Sequence, residues 1–174
     1  AKTPVAEMQA DLAEHDYAVI IVNPDLIAGA LANRTTKQAD LTLATTDSLT
    51  VIRDLNVTGH VAATPTEADP ALILHTSGTT GKPKRVSLTH DLLLHGAQHD
   101  IEAHRLTAAD TTLITMPMFH INAQVVSVLS TRLSGGKIVV TQQFSASRFW
   151  HQVQTNGVQW DSVVPNTINI LLLN

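Results

Sequence analysis

Between Thr76 and Arg85 the chain reads TSGTTGKPKR, a cluster of hydroxyls and glycines followed by cations. Gly78 and Gly81 allow positive φ and close approach of the backbone to a ligand. Amides released from regular pairing can then point at an anion. Thr76, Ser77, Thr79 and Thr80 add hydroxyl donors, and Lys82 and Lys84 supply charge-assisted hydrogen bonds to phosphate oxygens. The chemistry suited to such a segment is holding a polyphosphate. The competing explanation is a flexible surface turn rich in Gly and Thr. The Walker pattern G-x-x-x-x-G-K-[ST] is not met, because Thr76 stands at its first glycine and Pro83 follows Lys82.

Histidine supplies the other candidates. His120 lies in MPMFHINAQ, Met116 to Gln124, just beyond an apolar run. On its own such a residue serves a ligand or is a satisfied structural side chain. His90, His95, His99 and His104 fall within HDLLLHGAQHDIEAH. His95 and His99 would share a helix face at i, i+4. HGAQH lacks the Glu of H-E-x-x-H, so exposed helix histidines compete with a metal site, and no residue is assigned as a metal ligand. Trp150 and Trp160 read as core aromatics.

The elements that must carry these residues follow from apolar runs and their stops. YAVIIV, 17–22, predicts a buried strand. Residues 25–33 predict a helix, and 49–55 a possible strand. ATPTEADP, 63–70, is the best linker candidate. From residue 71 strands and helices alternate: a strand at 71–75, a helix capped by Thr89 and running to about His104, and a strand at 111–116 stopped by Pro117. A helix over INAQVVSVLSTRL is closed by Gly135-Gly136. The strand KIVV, the helix 146–155 capped by Ser145, the strand 158–164 stopped by Pro165 and a last helix opened by Asn166 or Thr167 complete the series. The alternation predicts an α/β fold: a mainly parallel, doubly wound sheet flanked by helices on both faces. Ligands in such sheets sit beyond the carboxyl ends of the strands, where the 76–84 loop and His120 both fall.

TSGTTGKPK closely resembles the signature loop of the adenylate-forming superfamily of acyl-CoA synthetases, luciferases and peptide-synthetase adenylation domains. MPMFHINAQ resembles that family's P-x-F-H segment, and FSASRFWHQVQTNGVQWDSVVPNTINILL resembles the stretch that follows in small-acid ligases. The likeness is strongest to carnitine- and oxalate-type CoA ligases and covers about residues 70–174 well. It implies an AMP-forming acid–thiol ligase. A carboxylate attacks the α-phosphate of ATP, and coenzyme A then displaces AMP to form a thioester, with Mg²⁺ on the phosphates. By the same resemblance Thr76, Ser77, Gly78, Thr79, Thr80, Gly81 and Lys84 contact ATP or AMP. His120 lies by the acyl and adenylate pocket as the catalytic and substrate-side histidine, and Asn122 lines the acyl pocket. Arg85 replaces the family's usual Gly, either restricting the turn or adding a cation near the phosphates.

The chain has 174 residues, 44% of them hydrophobic, and a formal charge of −4. That balance argues against a nucleic-acid partner. No apolar run approaches the roughly 20 residues of a membrane helix. The absence of cysteine excludes disulfides and thiolate metal sites and fits a reducing, cytoplasmic setting. The apolar ending NTINILLLN needs a partner to bury it. The family's adenine, ribose and Mg²⁺-binding motifs and its lysine-bearing C-terminal domain do not occur here. The expectation is therefore a 1–174 fragment of the N-terminal AMP-binding domain, inactive alone and needing the rest of its own chain. A non-catalytic nucleotide-binding module is the alternative.

Overall fold

A computed structural model describes residues 5–15, 17, 19–22, 37–42, 48–53, 64–76, 84–141 and 143–173. The chain divides into two compact units, Ala1–Ala63 and Thr64–Asn174, with the division inside the proline-bearing 63–70 stretch. The helix expected at 25–33 lies outside the described residues.

In the first unit, helix α1 (Val5–Glu14) precedes strands β1 (Val19–Val22), β2 (Lys37–Thr42) and β3 (Ser48–Arg53). The sheet is antiparallel with β3 central, Val22 opposite Thr50 and Leu41 opposite Leu49. The Tyr17 hydroxyl donates to Asp11 Oδ2 at 2.7 Å, anchoring the entry to β1 on the helix. Strand β2 was not expected: KQADLT has the polar content of a loop, and cross-strand pairing overrides that weak propensity.

The second unit opens with a hairpin of β4 (Pro70–Thr76) and β5 (Lys84–Thr89), antiparallel from Leu72 opposite Leu88 to Thr76 opposite Lys84. Strand β5 was also not foreseen. A parallel return needs a crossover of about a dozen residues or more, and the 77–83 connection is too short for one, so the chain must come back antiparallel. Helix α2 (His90–His104) follows directly. The Thr89 hydroxyl accepts from the Leu92 amide at 3.2 Å, the N-cap that the sequence predicts. At its far end Arg105 turns left-handed at φ 55, a conformation more usual for Gly or Asn.

The rest keeps the expected α/β alternation, except that 158–164, expected as a strand, makes only a single bridge at Trp160. Strand β6 (Thr111–Ile114) leads to helix α3 (Asn122–Leu129), which is π-wound and continues into α4 (Ser130–Ser134). Strand β7 (Lys137–Val140), helix α5 (Ala146–Asn156) and helix α6 (Pro165–Leu172) complete the chain. β6 pairs in parallel with β7, from Thr111 opposite Lys137 to Ile114 opposite Val140. On its other edge β6 bridges Trp160 in parallel through Thr112, and the Leu113 amide donates to the Trp160 carbonyl at 3.0 Å. β6 is thus a central strand, buried at every position. Leu113, Ile114, Ala97, Ala123 and Phe149 make the core around it.

Gly135 and Gly157, at φ 83 and φ 60, end α4 and α5 as their positions predict. Ser145 flanks α5, but its hydroxyl pairs with Ser147 Oγ at 3.2 Å rather than capping the helix. Trp160 is half-buried with its ring 5.3 Å from that of His104. Trp150, expected in the core, is 57% exposed, because only Phe149 of that pair turns inward. Leu172 and Leu173 are exposed on and just after α6.

Candidate functional site

Thr76 and Lys84 form the last register pair of the β4–β5 hairpin, so the two strand ends hold the flanks of the loop together. Ser77, Gly78, Thr79, Thr80 and Gly81 lie outside the described residues. Lys84 is exposed at the end of β5. Arg85 is its neighbour within the strand, registered opposite His75. Successive strand residues face opposite sides, so Arg85 projects away from the face that carries Lys84. The exchange of Gly for Arg therefore falls in a regular strand position, where a side chain costs nothing in backbone geometry.

The second set of groups lies beyond the carboxyl end of β6, as the position of ligand sites in parallel sheets leads one to expect. Thr115 follows the strand and Pro117 begins a turn. The His120 amide donates to the Pro117 carbonyl at 3.0 Å, and the Gln124 amide to the His120 carbonyl at 3.2 Å, leading the turn into α3. Gln124 Nε2 donates to the Met118 carbonyl at 2.7 Å. His120 is exposed, with the Phe119 ring centroid 4.4 Å from its own. Asn122, two residues on, donates from Nδ2 to Ser162 Oγ at 2.9 Å, and its Oδ1 is buried without a partner among the described residues. The fold thus brings His120 and Asn122 onto one turn, with the Asn122 amide engaged to protein.

Sequence reasoning missed Asp161 and Ser162. Thr115 Oγ1 donates to Asp161 Oδ2 at 3.0 Å, and burial pushes the carboxyl up to about 6, opposed by that bond and by the nearby Ser162 amide. The signal was present: one acid interrupts VQWDSVV, a stretch otherwise read as a buried strand.

The α2 histidines pair with acids of their own helix. His95 Nε2 lies 3.1 Å from Asp91 Oδ1, and His104 Nε2 3.4 Å from Asp100 Oδ1. The His95 and His99 rings are 6.5 Å apart. Among the described residues no group of three or more His, Cys, Asp or Glu is placed to hold a metal ion. Among them also, no helix is long and apolar enough to cross a membrane.

Comparison with known proteins supplies the class to which this mixed fold belongs. The AMP-binding enzyme family matches residues 1–174, and the chain belongs to that family. A sulfoacetate–CoA ligase of Cupriavidus necator is 43% identical over 103 residues, covering 59% of this chain and 20% of that protein. An oxalate–CoA ligase of Saccharomyces cerevisiae is 38% identical over 107 residues, covering 62% of this chain and 20% of that protein. The chain thus spans about a fifth of the length of these relatives. Among solved structures, o-succinylbenzoate CoA synthetase from Bacillus subtilis in complex with AMP superposes with a TM-score of 0.58 at 30% identity, over 62% of this chain and 22% of that one.

Proposed function

We propose that this chain is part of the N-terminal AMP-binding domain of an acyl-CoA synthetase. The enzyme joins a small-molecule carboxylate to AMP and then to coenzyme A. The observation that carries the reading is the Thr76–Lys84 register pair, which closes the hairpin on the signature loop. In this reading Thr76, Ser77, Gly78, Thr79, Thr80, Gly81 and Lys84 hold the phosphates of ATP. Lys84 offsets charge on the departing pyrophosphate. His120 stands on the acyl side as the catalytic and substrate-contacting residue, and Asn122 flanks it.

Mg²⁺ would enter with the nucleotide and, when bound, would offset phosphate charge alongside Lys84. A short polar acid is the proposed substrate class, supported by Asn122 and by the names of the sulfoacetate and oxalate ligases. The cysteine-free composition supports a cytoplasmic setting. The chain spans about a fifth of the length of these ligases, and it is expected to bind nucleotide without turning over.

Calorimetric titration of ATP with Mg²⁺ into the chain tests this. Saturable heat that Lys84→Ala weakens and His95→Ala leaves intact is expected, with no pyrophosphate exchange. A wild-type chain giving no saturable heat overturns the reading.

A further inference from the structure

The turn that carries His120 is tied at both ends to two consecutive residues of one distant segment. At its entrance Thr115 donates to Asp161 Oδ2 at 3.0 Å. At its exit Asn122 donates to Ser162 Oγ at 2.9 Å. Between them Met118, Phe119, His120 and Ile121 are all exposed, so side-chain packing does little to hold the turn. Its internal bonds run from His120 to Pro117 and from Gln124 to Met118, and they shape the turn without fixing it to the sheet. The segment bearing Asp161 is fixed, because Trp160 is bridged to β6.

We propose that the Asp161–Ser162 dipeptide is a positioning clamp for the His120 turn, and that the charge on Asp161 reaches the turn through Thr115. An ionised carboxylate accepts a shorter and stronger bond from a hydroxyl than a neutral acid does. Thr115, and the turn that begins beside it, is therefore drawn tighter when Asp161 is charged. Among the described residues that charge has no counter-ion to fix it. Burial acts on Asp161 first, then the Thr115 hydroxyl and the Ser162 amide, and no charged side chain among the described residues contributes. Its other oxygen, Oδ1, is buried without a partner among the described residues. Since burial pushes the acid up to about 6, its charge changes close to neutral pH. Among the described residues, the titratable groups on the neighbouring elements are His120, in the turn itself, and His104, whose ring lies against Trp160. The catalytic meaning of the clamp rests on the acyl-side reading of His120, but the clamp itself does not.

The chain carries three methionines, Met8, Met116 and Met118, which suits a methyl readout. Met116 and Met118 lie in the turn, and Met8 on α1 is the reference. With ¹³C-methyl methionine, an NMR titration from about pH 4 to 8 spans the carboxyl and histidine ranges. The Met116 and Met118 signals are expected to move with a midpoint near about 6, as the pushed-up Asp161 requires, while Met8 stays still. Asp161→Asn should abolish the movement, and His120→Gln and His104→Gln should keep it. Thr115→Val, which leaves the acid but cuts the link, should also abolish it and serves if Asp161→Asn does not fold. Ser162→Ala should broaden the Met118 signal without moving the midpoint. Movement that survives both Asp161→Asn and Thr115→Val, or that disappears with His120→Gln, overturns the clamp. ATP titration of the same variants reads the ligase assignment separately: failure of wild type to bind ATP would remove that assignment and leave the methyl result standing.

Discussion

Thr76 and Lys84 face each other as the final cross-strand pair of β4 and β5. The segment from Ser77 to Pro83 is strung between these two positions. The hairpin continues without a break into α2 through the Thr89 cap, so the lysine is carried on a strand backed by a capped helix.

Lys84→Ala is expected to weaken ATP binding by roughly tenfold or more, since a hydrogen bond to a charged group contributes about 1.5–3 kcal/mol. Arg85→Ala, on the opposite hairpin face, is expected to change affinity by less than about twofold. Parallel calorimetric titrations check both. Equal losses in the two variants would mean that both cations reach the nucleotide.

Gly136 is closed in between α4 and β7. A Cβ there would lie 2.7 Å from the Asp110 carbonyl oxygen and 3.0 Å from Thr131 Cγ2. The first neighbour is backbone and cannot swing aside. Gly136→Ala is therefore expected to destabilise the second unit by about 1–3 kcal/mol, read as a lower urea midpoint.

Thr112 and Thr131 share a buried 2.7 Å hydroxyl–hydroxyl bond linking β6 to α4. Either single Thr→Val change strands the other hydroxyl and should cost about 1–3 kcal/mol. The double Val variant leaves no orphan, so its cost should fall well below the sum of the singles. A double-mutant cycle in urea measures this, and simple additivity would contradict it.

Asp161 makes stability depend on pH. Its folded value, about 6, lies above the ordinary 3.8, so the folded state holds the proton more tightly. The stability linked to that proton is complete below about 4 and is lost as pH rises through about 6. Ionisation tightens the Thr115 bond locally, yet burial outweighs it overall. Asp161→Asn should flatten this slope and raise stability at about pH 8 by roughly 1–2 kcal/mol, held to that size by partial solvent screening. Urea melts at about pH 5 and pH 8 test the sign, and a variant less stable than wild type at the higher pH would reverse it.

Legibility differed by element for physical reasons. Thr89, Gly135 and Gly157 act locally, through one hydroxyl or one positive φ, so the ends of α2, α4 and α5 could be read directly. Arg105 ends α2 by the same geometry without a glycine to announce it. Strands β2 and β5 exist through pairing with β3 and β4, which no local pattern in KQADLT or KRVSLT reveals. His120 and Asn122 stood out through motif resemblance. The residues that tether their turn did not, because Asp161 and Ser162 meet Thr115 and Asn122 only after the chain has folded across more than forty positions, or forty in the case of Asn122.

The wide winding of Asn122–Leu129 is the imprint of a residue more than a tighter coil would need. Removing one residue from it, Val126 for instance, would let the coil close to ordinary pitch while Ser130–Ser134 stays docked under β6. The His120 turn, tied to Asp161 and Ser162, would then have to re-form on a coil one residue shorter. Shortening the chain by a single link would leave the core standing and draw the imidazole along the axis by about 1.5 Å.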